Sequence, residues 1–321
     1  MPQLNQSLLL LEPQYRERVW GGQKLKAASP PVGEAWVACG PSRVVNGTLA
    51  GRTLEDVASE HAPALLGSVV AGRFGPRFPL LIKLLDCADW LSVQVHPNDE
   101  QAGRMAGPAE SGKTEAWYFI ACEPGAQSMI GVRPGVTAPD LASAIRDGRI
   151  LEVAESLPIE AGDSVLIPAG TLHALGPGLL LYEVQQASDI TYRVYDWGRS
   201  VSVGRKLHID ESVAVTLAVP HEPVRRPRPV GETGSAPAIE CPYFDLDVLG
   251  VSPSGGPLAG DTAGRSCHVL TVVDGMAEVQ RGTETVRLHR FETVVVTGEA
   301  GSYQIVADDE PATLLRAVVP G

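Results

Sequence analysis

The sequence has few basic residues and no long apolar run, and each of these features argues against a class of partner. It contains 26 Lys and Arg against 38 Asp and Glu, a formal net charge of −12. Surfaces that follow nucleic-acid phosphates or anionic lipids need clustered positive charge. No segment approaches the ~18 apolar residues of a membrane-spanning helix, and residues 1–13 lack the pattern of a secretory signal. We therefore expect no nucleic-acid partner and no membrane partner.

Cysteine is also scarce, and its spacing argues against both a disulfide framework and a cysteine zinc site. No two of the five cysteines form a CxxC pair. An odd number of widely scattered cysteines is typical of reduced thiols in the cytoplasm. The sequence thus predicts a cytoplasmic protein without disulfides. The five are Cys39, Cys87, Cys122, Cys241 and Cys267.

What the sequence does have is turn residues and short apolar segments. The 321 residues include 34 Gly and 26 Pro, and this length suggests about two domains. Segments of four to eight apolar or alternating residues predict strands, and two capping boxes, at Thr53 with Asp56 and at Thr137 with Asp140, predict short helices. The predicted fold is mostly β, with two jelly-roll or β-sandwich domains. The predicted strands are Leu80–Leu85, Leu91–Val95, Ala116–Ala121, Ser164–Ile167, Leu179–Val184, Phe244–Val251, His268–Val273, Glu284–Leu288, Thr293–Thr297, Tyr303–Val306 and Thr313–Val318.

The domain boundaries are predicted from one proline-rich segment. Residues 219–237 contain five prolines among arginines and are interpreted as a linker. We expect a first domain, residues 1–218, with the short helices, and a second, residues 238–321. A faint internal repeat aligns 163–168 with 292–297 and sets His173 opposite Ser302, so the chemistry is expected in the first domain.

Three segments combine side chains that could bind a metal. In the strand 91–97 (LSVQVHP), alternation places Ser92, Gln94 and His96 on one face. The segment 113–118 (KTEAWY) sets Lys113 beside Glu115 by the same period, and His173 follows a Pro/Gly turn in 167–173 (IPAGTLH).

Gln94, His96, Glu115 and His173 together offer two imidazole nitrogens and two oxygens. This set suits one Zn²⁺ with an open coordination position, which could polarise substrate oxygens as a Lewis acid. The alternative is structural, with both histidines satisfied in the core and Glu115 a surface charge. Taken together, the pattern favours the metal site.

Positive charge near the same strands suggests a phosphorylated substrate. Lys83 interrupts an apolar strand, Lys113 adjoins Glu115, and Arg193 lies in the segment 191–196 (TYRVYD). Lysine binds phosphate as a point charge and arginine as a bidentate fork. The alternatives are that Lys83 extends its amine to water and that Arg193 pairs with Asp189 or Asp196.

At these residues the sequence resembles the type I phosphomannose isomerases in their short bacterial form. The resemblance runs from about Val19 to Asp210 and is general beyond Val219. It rests on 20–22 (WGG), 33–36 (GEAW), 91–99 (LSVQVHPND), 112–117 (GKTEAW), 167–175 (IPAGTLHAL) and 183–199 (EVQQASDITYRVYDWGR). The helical insertion of the longer relatives is absent, since only about 50 residues separate Glu115 from the turn at Pro168.

The resemblance implies a cupin fold in both domains, with a second domain that lacks metal ligands. It implies one Zn²⁺ on Gln94, His96, Glu115 and His173, catalytic roles for Arg193 and Lys113, and phosphate binding by Lys83 and Ser92. The implied reaction interconverts mannose 6-phosphate and fructose 6-phosphate through a cis-enediolate.

Several alternatives stay open at this point. The proton carrier could be Asp189, Glu183, Lys113 or a zinc-bound water, because spacing does not distinguish them. Other functions compatible with the pattern are a metallocupin oxidoreductase, a non-catalytic sugar-phosphate-binding cupin and a different aldose–ketose isomerase. The sequence does not specify an oligomeric state. The remaining histidines are interpreted as surface or structural: His61, His208, His221, His268 and His289.

Overall fold

A computed structural model describes residues 4–199, 205–228 and 232–320, and it confirms the mostly β fold. The described strands, in chain order, are β1 (Leu8–Leu10), β2 (Gln14–Gly22), β3 (Val32–Ala38), β4 (Leu80–Cys87), β5 (Val93–Val95), β6 (Glu115–Cys122), β7 (Gln127–Val132), β8 (Ala154–Pro158), β9 (Ser164–Ile167), β10 (His173–Leu175), β11 (Leu179–Gln186), β12 (Tyr192–Tyr195), β13 (Gly234–Glu240), β14 (Asp245–Val251), β15 (Leu258–Asp261), β16 (His268–Asp274), β17 (Ala277–Arg281), β18 (Glu284–Leu288), β19 (Thr293–Val296), β20 (Ser302–Ala307) and β21 (Ala312–Val318). The described α-helices are α1 (Leu54–Leu66), α2 (Ser68–Phe74), α3 (Asp99–Met105), α4 (Ala138–Arg146) and α5 (Ile209–Val215).

The chain divides into two units, and the division differs from the predicted domain boundaries. The C-terminal unit combines residues 1–14 and 35–83 with everything from residue 226 onward, whereas the central unit contains 15–34 and 84–225. The N-terminal residues join the C-terminal unit because β1 pairs with β19, Leu8 opposite Val296. A three-residue strand carries no detectable period, so the sequence did not reveal this pairing.

The C-terminal unit contains two antiparallel sheets with an apolar core. One sheet has the order β1-β19-β16-β21-β14-β13 and the other β15-β20-β17-β18. Buried residues from both sheets form one cluster, among them Leu270 and Leu314 from the first and Val279 and Ile305 from the second. Alternation along each strand turns these residues toward the core, as expected for two packed sheets.

The central unit is also built on two sheets, and these carry the chemically interesting segments. One has the order β12-β5-β10-β7-β8, and the other β2-β3-β4-β11-β6-β9, where β3 and β4 each cross the boundary between the units. Trp117, Phe119 and Val165 of the second sheet pack with Ile130 and Leu175 of the first. This core fixes β6 against β10 and therefore fixes the residues that both strands carry.

Both predicted capping boxes are present. The Thr53 and Asp56 side chains exchange hydrogen bonds with each other's backbone N–H at the start of α1, and Thr137 and Asp140 do the same for α4. The sequence did not indicate α2, α3 and α5, because seven residues are too few for a helical period to appear. The longest described helix has 13 residues, and none of the described helices is long and apolar enough to cross a membrane.

The linker predicted over residues 219–237 ends earlier than expected. Its last four residues begin β13, which pairs with β14. Pro237 is compatible with this strand because β13 lies at the edge of its sheet, where a missing N–H breaks no inner ladder. The pairing shifts register between Pro237 and Ile239. Residues 229–231 of the predicted linker lie outside the described residues.

The faint internal repeat corresponds to equivalent strands. Residues 163–168 contain β9 and residues 292–297 contain β19, and the aligned His173 and Ser302 each begin a strand, β10 and β20. The two halves therefore place a histidine and a serine at matching positions.

A buried histidine of the C-terminal unit makes stability depend on pH. His268 Nδ1 lies 2.8 Å from the Tyr303 hydroxyl, and burial, followed by the charge of Arg316, lowers the pKa of His268 from 6.5 to about 4. The unfolded chain therefore binds one more proton than the folded chain between these pH values. The free energy of unfolding should fall as the pH decreases from about 6.5 to about 4, by up to about 3 kcal/mol from this group.

His268→Asn, which keeps a polar atom near the Nδ1 position, should flatten this part of the pH profile. The measurement is denaturant unfolding of both proteins between pH 4 and pH 7. Parallel profiles for the two proteins would show that His268 is not the group responsible.

Candidate metal centre

Three separated segments bring two histidines and a glutamate together in the central unit. His173 begins β10 and pairs directly with Gln94 of β5, while Glu115 begins β6 of the other sheet. His96 follows β5 by one residue. The three side chains are buried, and one ligand atom from each of His96, Glu115 and His173 lies within 4.8 Å of the others. The strand alternation expected from the sequence accounts for this convergence, since Val93 and Val95 turn to the core and Gln94 to the opposite side.

Hydrogen bonds to the backbone settle which imidazole nitrogen carries the proton. His96 Nδ1 lies 2.7 Å from the Ile190 carbonyl oxygen, and His173 Nδ1 lies 2.8 Å from that of Thr171. A carbonyl oxygen only accepts, so each Nδ1 donates its proton and leaves Nε2 as the nitrogen available to a metal. Burial, with the nearby charge of Lys113, holds the pKa of His96 well below its usual range, which keeps this ring neutral.

The nitrogen lone pairs face the carboxylate of Glu115, an arrangement that needs a cation. His173 Nε2 lies 3.2 Å from Oε1, and His96 Nε2 lies 3.5 Å from Oε2. Neither carboxylate oxygen receives a hydrogen bond of acceptable geometry from the described residues. Zinc bonds of 2.0–2.2 Å in a tetrahedron separate ligand atoms by roughly 3.4 Å. The observed spacing and donor types therefore fit Zn²⁺.

Gln94 is close enough to supply a further ligand after one rotation. Its Nε2 lies 3.2 Å from His173 Nε2, and its Oε1 accepts a hydrogen bond from the Ser92 hydroxyl at 3.3 Å. Metals bind the amide through oxygen rather than nitrogen. A half-turn of the amide group would bring Oε1 to the position that Nε2 occupies.

The ammonium of Lys113 supplies positive charge to the same cluster. Its Nζ lies 2.7 Å from Glu115 Oε2 and 3.1 Å from His96 Nε2, and the Lys113 side chain is 3% exposed. Burial by itself disfavours the ionised carboxyl, but Lys113, His96 and His173 together outweigh it and hold the pKa of Glu115 well below its usual range. The carboxyl is therefore an anion, the form in which it binds a metal.

Arg193 lies beside this cluster. Its backbone is hydrogen-bonded to His208, a histidine for which the sequence predicted no role in the site. Arg193 pairs with Gln94 between β12 and β5. Its backbone N–H donates to His208 Nδ1 at 3.2 Å, and its carbonyl accepts from the His208 N–H at 2.8 Å. Arg193 Nε is buried without a hydrogen bond to any described residue. Burial and the charge of Arg205 lower the pKa of Arg193, but arginine stays protonated in proteins. A buried donor of this kind is available to a ligand oxygen.

The two residues predicted to bind phosphate have different surroundings. Ser92 is buried and its hydroxyl is directed to Gln94, next to the cluster. Lys83 lies in β4 and is buried, with its Nζ 5.6 Å from the centre of the Trp36 ring. Its contact with an aromatic face stabilises an ammonium in an apolar strand. Ser92 therefore lies next to the metal-binding side chains, and Lys83 lies over Trp36.

Trp117 packs against the cluster and is hydrogen-bonded to Glu183. The sequence indicated a candidate role for Glu183 but none for Trp117. The Trp117 ring meets the His173 ring edge-on at 5.4 Å, and its Nε1 donates to Glu183 Oε2 at 3.1 Å. Trp117 and Glu183 face each other between β6 and β11. Glu183, considered above as a proton carrier, is thus engaged in holding the indole. The alternation of β6 indicated only that Trp117 and Glu115 share a face.

Comparisons with known proteins agree with this geometry. Residues 8–113 match the family model "Phosphomannose isomerase type I, catalytic domain". A probable mannose-6-phosphate isomerase of Bacillus subtilis is 41% identical over 254 residues, which are 74% of this chain and 78% of that protein. A mannose-6-phosphate isomerase of Streptococcus mutans is 32% identical over 94% of this chain and 96% of its own length. The crystal structure of a Bacillus subtilis mannose 6-phosphate isomerase superposes with a TM-score of 0.85 at 30% identity, covering 97% of this chain and 99% of that one.

The Streptococcus mutans relative and the Bacillus subtilis structure match nearly the whole chain, whereas the family model covers residues 8–113, which include Gln94 and His96 and end at Lys113. The chain therefore belongs to the type I phosphomannose isomerase family of enzymes.

Proposed function

We propose that this protein interconverts mannose 6-phosphate and fructose 6-phosphate in a reaction that depends on one Zn²⁺ per chain. The observation that carries the proposal is the buried cluster of His96, Glu115 and His173, in which two Nε2 lone pairs face an ionised carboxylate. Membership of the isomerase family supplies the substrate class.

The four predicted ligands have the chemistry that zinc requires. His96 and His173 would bind through Nε2, Glu115 through its carboxylate and Gln94 through Oε1. Each Nδ1–H is fixed on a backbone carbonyl, an arrangement that orients a metal-binding imidazole and raises its basicity. Zinc bound here would act as a Lewis acid on sugar oxygens.

The rest of the chemistry depends on fixed positive charge. The isomerisation moves a proton between C2 and C1 of the sugar, and a cis-enediolate intermediate concentrates negative charge on oxygen. We assign stabilisation of this charge to Lys113, whose ammonium is buried beside Glu115, and to Arg193, the strand partner of Gln94, whose Nε is buried. Charged donors that are already in place need no reorganisation when the charge develops.

Among the side chains considered as proton carrier, Lys113 has the strongest support. Its Nζ lies 3.1 Å from His96 Nε2, whereas Glu183 Oε2 already accepts the Trp117 N–H. Lys113 would hold a proton at Nζ, directly beside the ligand atoms. The charge of Asp189 acts to raise the pKa of Arg193 and so favours its cationic form.

His173→Ala should lose both the metal and the activity, because it removes one nitrogen ligand and, once the metal is lost, leaves only Lys113 to compensate the buried charge of Glu115. Metal analysis of the purified protein and a coupled isomerase assay measure the two effects, and chelation of the wild type followed by zinc addition should abolish and restore activity. His221→Ala, in the same unit but outside the cluster, is the control and should keep both. An enzyme that stays fully active after complete removal of metal would contradict zinc dependence.

Arg193→Ala should retain zinc but lose turnover by about two orders of magnitude, corresponding to about 3 kcal/mol in the barrier. Arg193 is assigned to the charge that develops during the reaction, so kcat should fall more than KM rises. Steady-state kinetics together with zinc analysis separate this outcome from a loss of metal. Wild-type kcat in this variant would show that the assignment of Arg193 is wrong.

The phosphate site is tested by comparing substrates. Ser92→Ala and Lys83→Met should each raise KM for mannose 6-phosphate by about tenfold, the effect of losing one hydrogen bond to a charged group. The same variants should leave the slow conversion of unphosphorylated mannose unchanged, which makes mannose the control. An equal loss of activity with both sugars would show that the substituted residue does not act by binding the phosphate.

A further inference from the structure

Three consecutive backbone N–H groups, directly before β6, each donate a hydrogen bond to a different acceptor. Gly112 N donates to Asp99 Oδ1 at 2.8 Å, and Lys113 N donates to the Pro97 carbonyl at 2.9 Å. Thr114 N donates to Gln186 Oε1, also at 2.9 Å. A segment bonded at every amide has little freedom to move along or rotate about its axis.

Two of these acceptors are side chains, and they are bonded to each other. Gln186 Nε2 donates to Asp99 Oδ1 at 3.0 Å, so this single oxygen accepts from both Gln186 and Gly112. The Gln186 backbone N–H donates to the Thr114 carbonyl at 3.2 Å. We call this pair of side chains, Asp99 and Gln186, the clasp.

The clasp requires close approach of two backbone segments. A Cβ on Gly112 would lie 2.5 Å from both the Asn98 carbonyl carbon and the Asp99 nitrogen, so a larger residue would force the segments apart. Asn98 and Gln101 form the capping box at the start of α3, which fixes the backbone that carries Asp99. One side of the clasp is therefore a helix start and the other is the end of β11.

The residue between the two clasped amides is Lys113. Its side chain has four rotatable bonds, and its Nζ nevertheless lies at 2.7 Å from Glu115 Oε2 and 3.1 Å from His96 Nε2. A displacement of the backbone at residues 112–114 would move the start of this side chain and the ammonium with it.

We propose that Asp99 and Gln186 are positioning residues that fix the Lys113 backbone and thereby place its ammonium at the metal centre. The proposal rests on the proposed role of Lys113 in the isomerisation. The hydrogen bonds of the clasp hold residues 112–114, none of which is a predicted metal ligand. The clasp should therefore affect the rate of the reaction without affecting zinc occupancy.

The test uses Asp99→Ala and Gln186→Ala in the zinc-loaded protein. Misplacement of a reacting group by about 1 Å costs about a hundredfold in rate. We expect kcat to fall by about that factor in each variant, with KM within about threefold of the wild type and unchanged zinc content. Hydrogen exchange by mass spectrometry should show faster exchange in peptides containing residues 112–114.

Two further variants separate positioning from general loosening of the structure. Asp99→Asn keeps an oxygen that accepts from Gly112 and Gln186, so it should retain kcat within about threefold. Glu100→Ala, on the same helix, removes an exposed side chain that pairs with Arg104 and belongs neither to the clasp nor to the capping box. It should therefore leave kcat and the exchange of these residues unchanged.

Three outcomes would overturn the proposal: wild-type kcat in both alanine variants, a kcat loss in Glu100→Ala equal to that in Asp99→Ala, or an Asp99→Asn variant as slow as Asp99→Ala. Failure of the proposed function is a different result, in which the wild-type protein does not isomerise the sugar phosphate or does so without zinc. The hydrogen-exchange comparison tests the clasp in that case as well, because it needs no turnover.

Discussion

The metal centre of this protein depends on one buried carboxylate. Glu115 is ionised and fully buried, and it faces the unprotonated nitrogens of His96 and His173. Removing a charge from water costs several kcal/mol unless nearby groups of opposite charge compensate it. The Lys113 ammonium provides part of that compensation at 2.7 Å. A divalent cation between the nitrogens and the carboxylate would complete it and would satisfy all three groups at once.

The β scaffold holds these groups at fixed separations. His173 and Gln94 are direct partners across β10 and β5, and Arg193 is the partner of Gln94 across β12 and β5. Glu115 comes from the facing sheet, whose core residues Trp117 and Phe119 pack with those of the first. Because each of these strands is anchored by buried side chains, the positions of the polar side chains follow from the packing. Such preorganisation is what electrostatic stabilisation of a reaction requires.

The sequence predicted most of the regular strands, and the expected convergence of His96, Glu115 and His173 is present, while their binding of zinc stays a prediction. Strand alternation correctly indicated that His96 and Gln94 share a face, and the two capping boxes correctly located α1 and α4. The family resemblance, based on several motifs in order, is confirmed by the comparisons.

The features that the sequence did not reveal depend on long-range contacts. The pairing of β1 with β19 joins residues almost 300 positions apart. The hydrogen bond from Arg193 to His208 joins residues in a part of the sequence that shows no periodic pattern. The clasp of Asp99 on Gln186 spans 87 positions, and no local pattern encodes it. The roles of Lys83 and Ser92 at a phosphate stay a prediction.

The most direct measurement is the zinc K-edge absorption spectrum of the protein loaded with one equivalent of Zn²⁺. The account predicts a first shell of nitrogen and oxygen only, at about 2.0–2.2 Å, with the outer-shell scattering of two imidazoles. The His173→Ala protein should lose this signal. Sulfur at about 2.3 Å would place the zinc on the cysteines instead, and failure to retain zinc would contradict the central claim.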